Sequence, residues 1–322
     1  MTAAPRTVRP GLSGRPALAA TVLLAATVLL AACGRPTGSG TSAGNGTHIT
    51  DPIRVVATTT VFADLVRQSG GASVVVASLV PRDADPHTFE PKPSDLRTVA
   101  TADLIVMNGL GLDDWMRPLV VESKRAEAAL VELAEDLPGV TLLGEHGSEN
   151  PHLWLDAALA ERYVARITDA LAAIRPERAA ELEASGAAYR GRLATLDAEI
   201  RGRLAAIPGP CLRVVSYHDA FPYYARAYGL EIVGVAVPAP GQEPGAGEIA
   251  ALVDAIRSAQ VRAILSEAQF SPKLVQQLAQ ETGVTVVHDL HTDALGKPPA
   301  DSYEGMLRWD TDQIVDALRC AG

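Results

Sequence analysis

Positive charge and aromatic side chains are both scarce in this 322-residue chain. Lysine and arginine number 28 against 38 acidic residues, which gives a formal net charge of −10 at pH 7. Three of the arginines precede residue 32, where no acidic residue accompanies them, so the rest of the chain is more acidic still. This charge argues against a nucleic-acid partner. With aromatics at 4%, a cleft that stacks rings against an organic solute is not expected either.

Cysteine is also rare, with three residues in the chain. Cys33 follows a hydrophobic segment near the N-terminus, which leaves Cys211 and Cys320. An exported protein meets an oxidising environment, in which such a pair can form a disulfide. We therefore expect a disulfide between Cys211 and Cys320, with two unpaired buried thiols as the alternative.

The apolar run ALAATVLLAATVLLAA, of about 16 residues, is shorter than the roughly 20 that a membrane-spanning helix needs. Arginines precede it and the small residues of LAAC end it, a pattern typical of a lipoprotein signal peptide over residues 1–32. Cys33 is the expected lipidated N-terminus, and a plain signal peptide is the alternative. Residues 33–50 are rich in Gly, Ser and Thr and predict a flexible tether. The body is therefore expected outside the cytoplasm, anchored by lipid to the outer face of the cytoplasmic membrane or to a periplasmic face.

From residue 51 onward, short β-branched runs alternate with helical stretches, as in IRVVATTT followed by VFADLVRQSG. This alternation of strand-like and helical segments predicts βαβ units and an α/β fold with mainly parallel sheets. It recurs after residue 208, so we expect two lobes, residues 51–175 and 208–322, rather than one sheet. Residues 176–207 predict one long linking helix, with a break near Gly186 or Gly191 as the alternative. Ser94 is the expected N-cap of the helix SDLRTVATA.

Four polar residues are expected near the carboxyl ends of strands, where ligands bind in open α/β sheets. His87, His152, His218 and Asp293 are separated by 65, 66 and 75 residues, so each must arrive on its own loop, as suits a site between two lobes. Three neutral imidazoles and a carboxylate suit zinc and are acceptable to manganese. Spacing alone does not establish a metal site, because a single histidine is more often a structural residue.

Five short sequence motifs carry a specific resemblance to a known protein family. The motifs that carry the resemblance are DPHTFEPKPSDL, ADLIVMNGLGLDDWM, NPHLWLD, SYHDAFPYYARAYGL and DLHTDALG. Over residues 53–318 the chain resembles the metal-binding lipoproteins of zinc and manganese ABC importers, the cluster A-I type of solute-binding protein. The resemblance implies two (β/α) lobes joined by one long backbone helix, with the metal in the cleft between them. It also implies that the metal ligands are His87, His152, His218 and Asp293.

The third ligand position bears on the choice of metal. In that family, histidine there goes with zinc and glutamate with manganese, so His218 favours Zn²⁺, with Mn²⁺ as the alternative. An imidazole in place of a carboxylate also moves the ligand set away from the oxygen-rich surroundings that manganese prefers. Many zinc-binding members carry a long histidine-rich insertion, whereas this chain has only LLGEHGSEN, with the single His146. This departure argues against a metal-scavenging loop.

Other polar residues lie in or near the motifs that contain the four candidate ligands. Glu267, after VRAILS, is expected to support the site, with direct metal binding as the alternative. His291 is expected to pack within its loop, and a supporting role or metal binding is the alternative. His288 is assigned to a strand or a supporting role, and Asp289 competes with Asp293 as the carboxylate ligand.

The predicted function is therefore a substrate-binding lipoprotein, and not an enzyme, that captures zinc and delivers it to the transmembrane permease subunit of an ABC importer. A monomer is expected. Alternatives are a manganese-specific protein of the same type or an adhesin-like metal-binding surface lipoprotein. A secreted zinc hydrolase is disfavoured, because no HExxH occurs and a fourth protein ligand would close the position that catalysis needs.

Overall fold

In this computed structural model, the structure describes residues 51–82, 84–145, 148–237 and 241–319. The signal peptide, Cys33, the tether, His146 and Cys320 lie outside these ranges, so what was predicted for them stays a prediction. All elements below belong to one compact unit, Thr50–Gly322. Among the described residues, no helix combines the length and the hydropathy needed to cross a membrane.

The N-terminal lobe is built on a four-stranded parallel sheet in the order β2-β1-β3-β4. The β-branched residues of β1 and β3 are buried on both faces, as a parallel sheet covered by helices requires. Its strands are β1 (Ile53–Ala57), β2 (Val74–Ser78), β3 (Leu104–Met107) and β4 (Ala129–Glu132). The remaining elements of this half are α1 (Thr60–Gly70), α2 (Pro93–Val99), α3 (Arg117–Ser123), the antiparallel pair β5 (Gly144–Glu145) and β6 (Ser148–Glu149), and α4 (Ala157–Ile174).

A second parallel sheet, in the order β10-β9-β7-β8, forms the C-terminal lobe. Its strands are β7 (Arg213–His218), β8 (Glu231–Val237), β9 (Ala263–Glu267) and β10 (Thr285–Leu290). Helices α6 (Pro222–Tyr228), α7 (Ala246–Ser258), α8 (Lys273–Thr282) and α9 (Tyr303–Leu318) accompany them. Gly229 and Gly283 end α6 and α8 in the left-handed conformation, which glycine adopts without steric cost. Two lobes with separate parallel sheets confirm the predicted fold class.

One unbroken helix, α5 (Ala179–Ala205), connects the lobes after a short 3₁₀ turn at Pro176–Arg178. Its 27 residues correspond to about 40 Å of helix. A stripe of apolar side chains is buried along it, from Leu182 through Tyr189 to Leu204. Neither Gly186 nor Gly191 interrupts it, so the prediction of a single long helix is confirmed and the alternative of two shorter helices is wrong.

The start of α2 differs from the prediction. The helix begins at Pro93 with Lys92 as its N-cap, and the Lys92 N–H donates to Asp95 Oδ2 at 2.7 Å. Ser94 therefore lies inside the first turn. Proline is well suited to the first helical position, because its fixed φ is helical and it has no N–H to leave unpaired there.

A shared apolar core joins the two lobes around α4 and α5. Phe62 and Trp154 make an edge-to-face contact with ring centroids 5.1 Å apart, and the Tyr303 hydroxyl donates to the Trp154 carbonyl at 2.6 Å. Tyr189 of α5 is buried in the same cluster. Both sheets, with the loops that follow their strands, therefore pack on one continuous apolar core.

Candidate metal centre

The four residues singled out from the sequence converge on one point. One side-chain donor atom from each of His87, His152, His218 and Asp293 lies within 4.8 Å of the other three. His152 Nε2 is 3.4 Å from Asp293 Oδ1, and His218 Nε2 is 3.5 Å from Asp293 Oδ2. Three of the four side chains are buried, and His87 is half-buried. Residues separated by up to 206 positions thus form a single cluster of three imidazoles and a carboxylate.

Both lobes contribute to the cluster. His87 lies in the loop between β2 and α2, His218 is the last residue of β7, and Asp293 follows β10 by three residues. His152 was expected after a strand of a parallel sheet. It instead follows the short antiparallel β5–β6 pair and precedes a 3₁₀ turn into α4. Asn108, just after β3, nevertheless donates from Nδ2 to the Pro151 carbonyl at 3.0 Å. This contact holds His152 at the carboxyl edge of the N-terminal sheet.

Asn150 fixes the orientation of the His152 ring. Its Nδ2 donates to the carbonyl and the carboxylate of Asp219, at 2.6 and 3.0 Å. Because both of those atoms are acceptors, Oδ1 must face His152, and it lies 3.0 Å from both the backbone nitrogen and Nδ1 of that residue. The Nδ1 atom therefore carries the hydrogen in the neutral ring. The lone pair of Nε2 is left to face the cluster.

Glu267 fixes the orientation of the His218 ring, and Gln269 holds the Asp293 carboxylate. Glu267 Oε1 accepts from His218 Nδ1 at 2.8 Å, which directs His218 Nε2 towards the other donors. The Gln269 amide donates to Asp293 Oδ2 at 3.1 Å and to the Thr292 hydroxyl at 3.3 Å. Outer contacts of this kind orient metal ligands and raise their basicity. Glu267 lies behind His218 and outside the group of four donors, and its supporting role stays a prediction.

Burial and neighbouring charge set the protonation of the cluster. Burial lowers the pKa of His87 to about 4, although Asp293 opposes the shift, and burial also lowers the pKa of His152. Burial acts in the same direction on His218, but the Glu267 carboxylate raises the pKa of this imidazole to about 9. Burial opposes ionisation of Asp293, yet the neighbouring His152 and His218 hold its pKa well below its usual range. At pH 7, two imidazoles are neutral, Asp293 is ionised, and His218 carries a proton.

The donor atoms themselves are buried without hydrogen bonds. Within the described part of the chain, the Nε2 atoms of His87, His152 and His218 and Oδ1 of Asp293 have no hydrogen-bond partner. Such atoms cost free energy when they are withdrawn from water and left unpaired. A divalent cation would satisfy all four at once, and nitrogen donors with one carboxylate oxygen are the ligands that zinc takes in proteins. The donor set therefore fits a metal ion.

The remaining candidates lie outside the group of four. His291 donates its backbone N–H to Asp310 Oδ1 at 3.0 Å, and its ring packs so closely on Gly296 that an added Cβ would lie 2.3 Å from Nε2. The His291 ring thus lies against its own loop, and its role at the site stays a prediction. His288 and Asp289 are exposed on β10, so Asp289 does not replace Asp293 as the carboxylate of the cluster.

Cys211 is buried and disulfide-bonded. Its predicted partner Cys320 lies outside the described residues, so the pairing itself stays a prediction.

Three supporting residues were not found by the sequence reasoning. Asn150 stands two positions before His152 within NPHLWLD, and Gln269 follows Glu267 by two positions. Trp115 donates its indole N–H to the carbonyl of Pro86, the residue before His87, at 2.8 Å. Proximity to the ligands was the only available signal for Asn150. No local pattern points from Trp115 to a loop 29 positions away.

Comparison with known proteins gives a consistent assignment. The family model described as "ZnuA: Zinc-uptake complex component A periplasmic" matches residues 55–317. The chain is 28% identical over 268 residues to the manganese-binding lipoprotein MntA of Halalkalibacterium halodurans, covering 83% of this chain and 88% of that protein. It is 27% identical over 278 residues to the iron ABC transporter substrate-binding lipoprotein MtsA of Streptococcus pyogenes, covering 84% and 90% respectively.

A solved structure supports the same assignment. The periplasmic zinc-binding protein TroA from Treponema pallidum superposes with a TM-score of 0.78 at 28% sequence identity, covering 84% of this chain and 100% of that one. The proteins similar to this chain thus carry names that differ in the metal and agree in the type of protein. The chain therefore belongs to the ZnuA family, the metal-binding substrate-binding proteins of ABC importers, and it is a binding protein rather than an enzyme.

Proposed function

We propose that this protein captures zinc outside the cytoplasm through His87, His152, His218 and Asp293 and delivers it to the permease of an ABC importer. The observation that carries the proposal is the convergence of four donor atoms from both lobes within 4.8 Å of one another. Four protein donors complete the tetrahedral set that zinc takes in closed sites, which suits capture and leaves no position for a reacting water.

Zinc is proposed over manganese because the third donor is the His218 imidazole. Manganese prefers oxygen ligands, and this cluster offers one carboxylate among three nitrogens. Glu267 is a further carboxylate beside the cluster, but its Oε1 is engaged by His218 Nδ1. Manganese is the second candidate, since one relative at 28% identity is named a manganese-binding lipoprotein.

Delivery requires that the body stays close to the membrane and meets the permease. We propose that lipid on Cys33 anchors the protein, that residues 33–50 act as a tether, and that the loaded monomer docks on the transmembrane subunit. Two relatives support this arrangement, because MntA is named a lipoprotein and MtsA an ABC transporter substrate-binding lipoprotein. Under this proposal the protein lies on the outer face of the cytoplasmic membrane or on a periplasmic face.

Loss of one donor should abolish tight binding while leaving the fold in place. His152→Ala and His218→Ala are each expected to lower zinc affinity by more than about 100-fold, because removing a ligand costs more than the 10–100-fold typical of outer contacts. Competition against a chelator measures the change. His288→Ala is the matched control, since His288 is exposed on β10 and lies outside the group of four. Wild-type affinity in His152→Ala or His218→Ala would remove that residue from the proposed site.

A further inference from the structure

The four proposed ligands are not held equally firmly. Asn150 orients His152, Glu267 orients His218, and Gln269 holds Asp293, each through a side-chain hydrogen bond to the ligand itself. Within the described residues, no hydrogen bond to the His87 ring is formed, and His87 is the ligand that is only half-buried. Its position therefore depends on whatever fixes the backbone of its loop.

Contacts inside the loop do not attach it to the lobe. Asp85 Oδ1 accepts from the His87 N–H at 2.9 Å, and Asp85 Oδ2 accepts from the Thr88 hydroxyl at 3.0 Å. These bonds shape a local turn of four residues. Arg82 connects the beginning of the loop to the Gly296 carbonyl in the other lobe, five positions before His87.

Trp115 is the attachment next to the ligand. Its Nε1–H donates to the Pro86 carbonyl at 2.8 Å, and its ring lies against Phe89 with centroids 5.6 Å apart. The two contacts fall on the residues immediately before and two after His87, so they bracket the ligand. Pro86 itself is buried, and an indole N–H paired with a carbonyl in such surroundings is a well-directed bond.

The segment that carries Trp115 is itself fixed to the N-terminal sheet. Asp113 is fully buried and accepts from the Thr58 hydroxyl and the Asn108 N–H, both at 2.7 Å, and from the Gly109 N–H at 2.9 Å. Thr58 follows β1 and Asn108 follows β3, so these bonds attach the 3₁₀ turn Asp114–Met116 to the carboxyl edge of the sheet. A chain of contacts thus leads from the sheet through Trp115 to the His87 loop.

We propose that Trp115 is a positioning residue for His87 that sets the rate at which the bound metal leaves. The inference rests on the proposed function, because it assigns Trp115 a role in that same site. Without the indole hydrogen bond, the loop loses its attachment beside the ligand, and His87 spends more time away from the other three donors. Metal loss then accelerates, while His152, His218 and Asp293 keep their own supports.

A second tryptophan provides a matched control. Trp309 of α9 is also half-buried, and its Nε1–H donates to the Asp289 carbonyl at 2.9 Å. The chemistry is the same, but the accepting residue is an exposed position of β10 outside the group of four donors. Trp115→Phe and Trp309→Phe each remove one indole N–H and retain an aromatic ring.

The experiment measures zinc dissociation from the purified protein by stopped-flow transfer to an excess of a chromogenic chelator. Loss of one hydrogen bond of ordinary net strength is expected to raise the dissociation rate of Trp115→Phe about fivefold. Trp309→Phe should dissociate at the wild-type rate. An unchanged rate in Trp115→Phe, or an equal rise in both variants, would overturn the proposal.

A double-mutant cycle tests whether Trp115 acts through His87. Equilibrium zinc affinities of His87→Ala and of His87→Ala/Trp115→Phe, from chelator competition, should agree, because the loop then has no ligand to position. A further loss as large as in the wild-type background would contradict this. Failure of the function itself is recognised separately: the wild-type protein would retain no zinc, or His87→Ala would bind as tightly as the wild type.

Discussion

At the scale of single residues, the cluster is organised by contacts between positions far apart in sequence. His218 and Glu267 are 49 positions apart, and Asn150 and Asp219 are 69 apart. Glu267 pairs with Nδ1 of His218, and Asp219 fixes the amide of Asn150, whose Oδ1 pairs with Nδ1 of His152. In both rings Nε2 then faces Asp293. Protonation of His218 links these hydrogen bonds to metal binding, because a nitrogen that carries a proton cannot bind a cation.

Zinc affinity should therefore rise with pH across the neutral range. The pKa of His218 is about 9 and that of His87 about 4, so between pH 6 and pH 8.5 the metal displaces about one proton, from His218. Mass action then gives about a tenfold gain in affinity per pH unit in this window. Dissociation constants measured at several pH values should fall along that slope. An affinity independent of pH from 6 to 8.5 would show that His218 is already deprotonated.

Replacing the supporting carboxylate should change both the affinity and its pH dependence. Glu267→Gln retains an oxygen acceptor for His218 Nδ1 but removes the charge that raises the pKa of the ring. We expect zinc affinity at pH 8.5 to fall by about 10–100-fold, as is typical for outer contacts of metal ligands, and the pH slope to become shallower. Asp289→Asn, which alters an exposed carboxylate, should bind as the wild type does. A wild-type slope in Glu267→Gln would separate Glu267 from the protonation of His218.

At the scale of elements, α5 shows how one glycine can be required while another is replaceable. Gly186 faces α4, where an added Cβ would lie 2.1 Å from the Thr168 hydroxyl oxygen. Gly202 lies on the exposed side of the same helix, where an added Cβ would meet no neighbouring element of the described structure within 4 Å. The first glycine permits close helix packing, and the second only adds backbone freedom to the unfolded chain.

Alanine substitutions should therefore have opposite effects at the two positions. Gly186→Ala is expected to lower the free energy of unfolding by about 1–3 kcal/mol through overpacking. Gly202→Ala is expected to raise it by up to about 1 kcal/mol, the difference in helix propensity between the two residues. Denaturant unfolding of the metal-free protein measures both. Stabilisation by both substitutions would show that α4 and α5 are not in close contact at Gly186.

The elements also show which features local sequence rules can predict. The alternating runs of β-branched and helical residues predicted strands β1–β3 and β7–β10 and the unbroken α5, because these features depend on periodicity and on helix propensity. The N-cap of α2 was predicted wrongly at Ser94, since Pro93 occupies the first turn and Asp95 completes the cap. Strand β4 and the β5–β6 pair were not among the predicted strands. Strand β4 pairs only with β3 at one end of the N-terminal sheet, and β5 and β6 have two residues each.

At the scale of the whole molecule, the two sheets are mounted on one apolar core, and the donor atoms come from loops of both lobes. The motifs around the four residues of the cluster were enough to single these residues out from the sequence. Their supports were less predictable: Glu267 was expected near the site, whereas the roles of Asn150, Gln269 and Trp115 follow only from the folded arrangement. Packing brings these side chains to the ligands, and no local pattern encodes it.

The measurement that tests the central claim most directly is metal loading of the stripped protein, offered zinc and manganese together under chelator-buffered conditions. Three imidazole donors and one carboxylate predict that one equivalent of zinc is retained against an excess of manganese. Preferential retention of manganese would contradict the choice of zinc, and retention of neither metal would contradict the four-residue site.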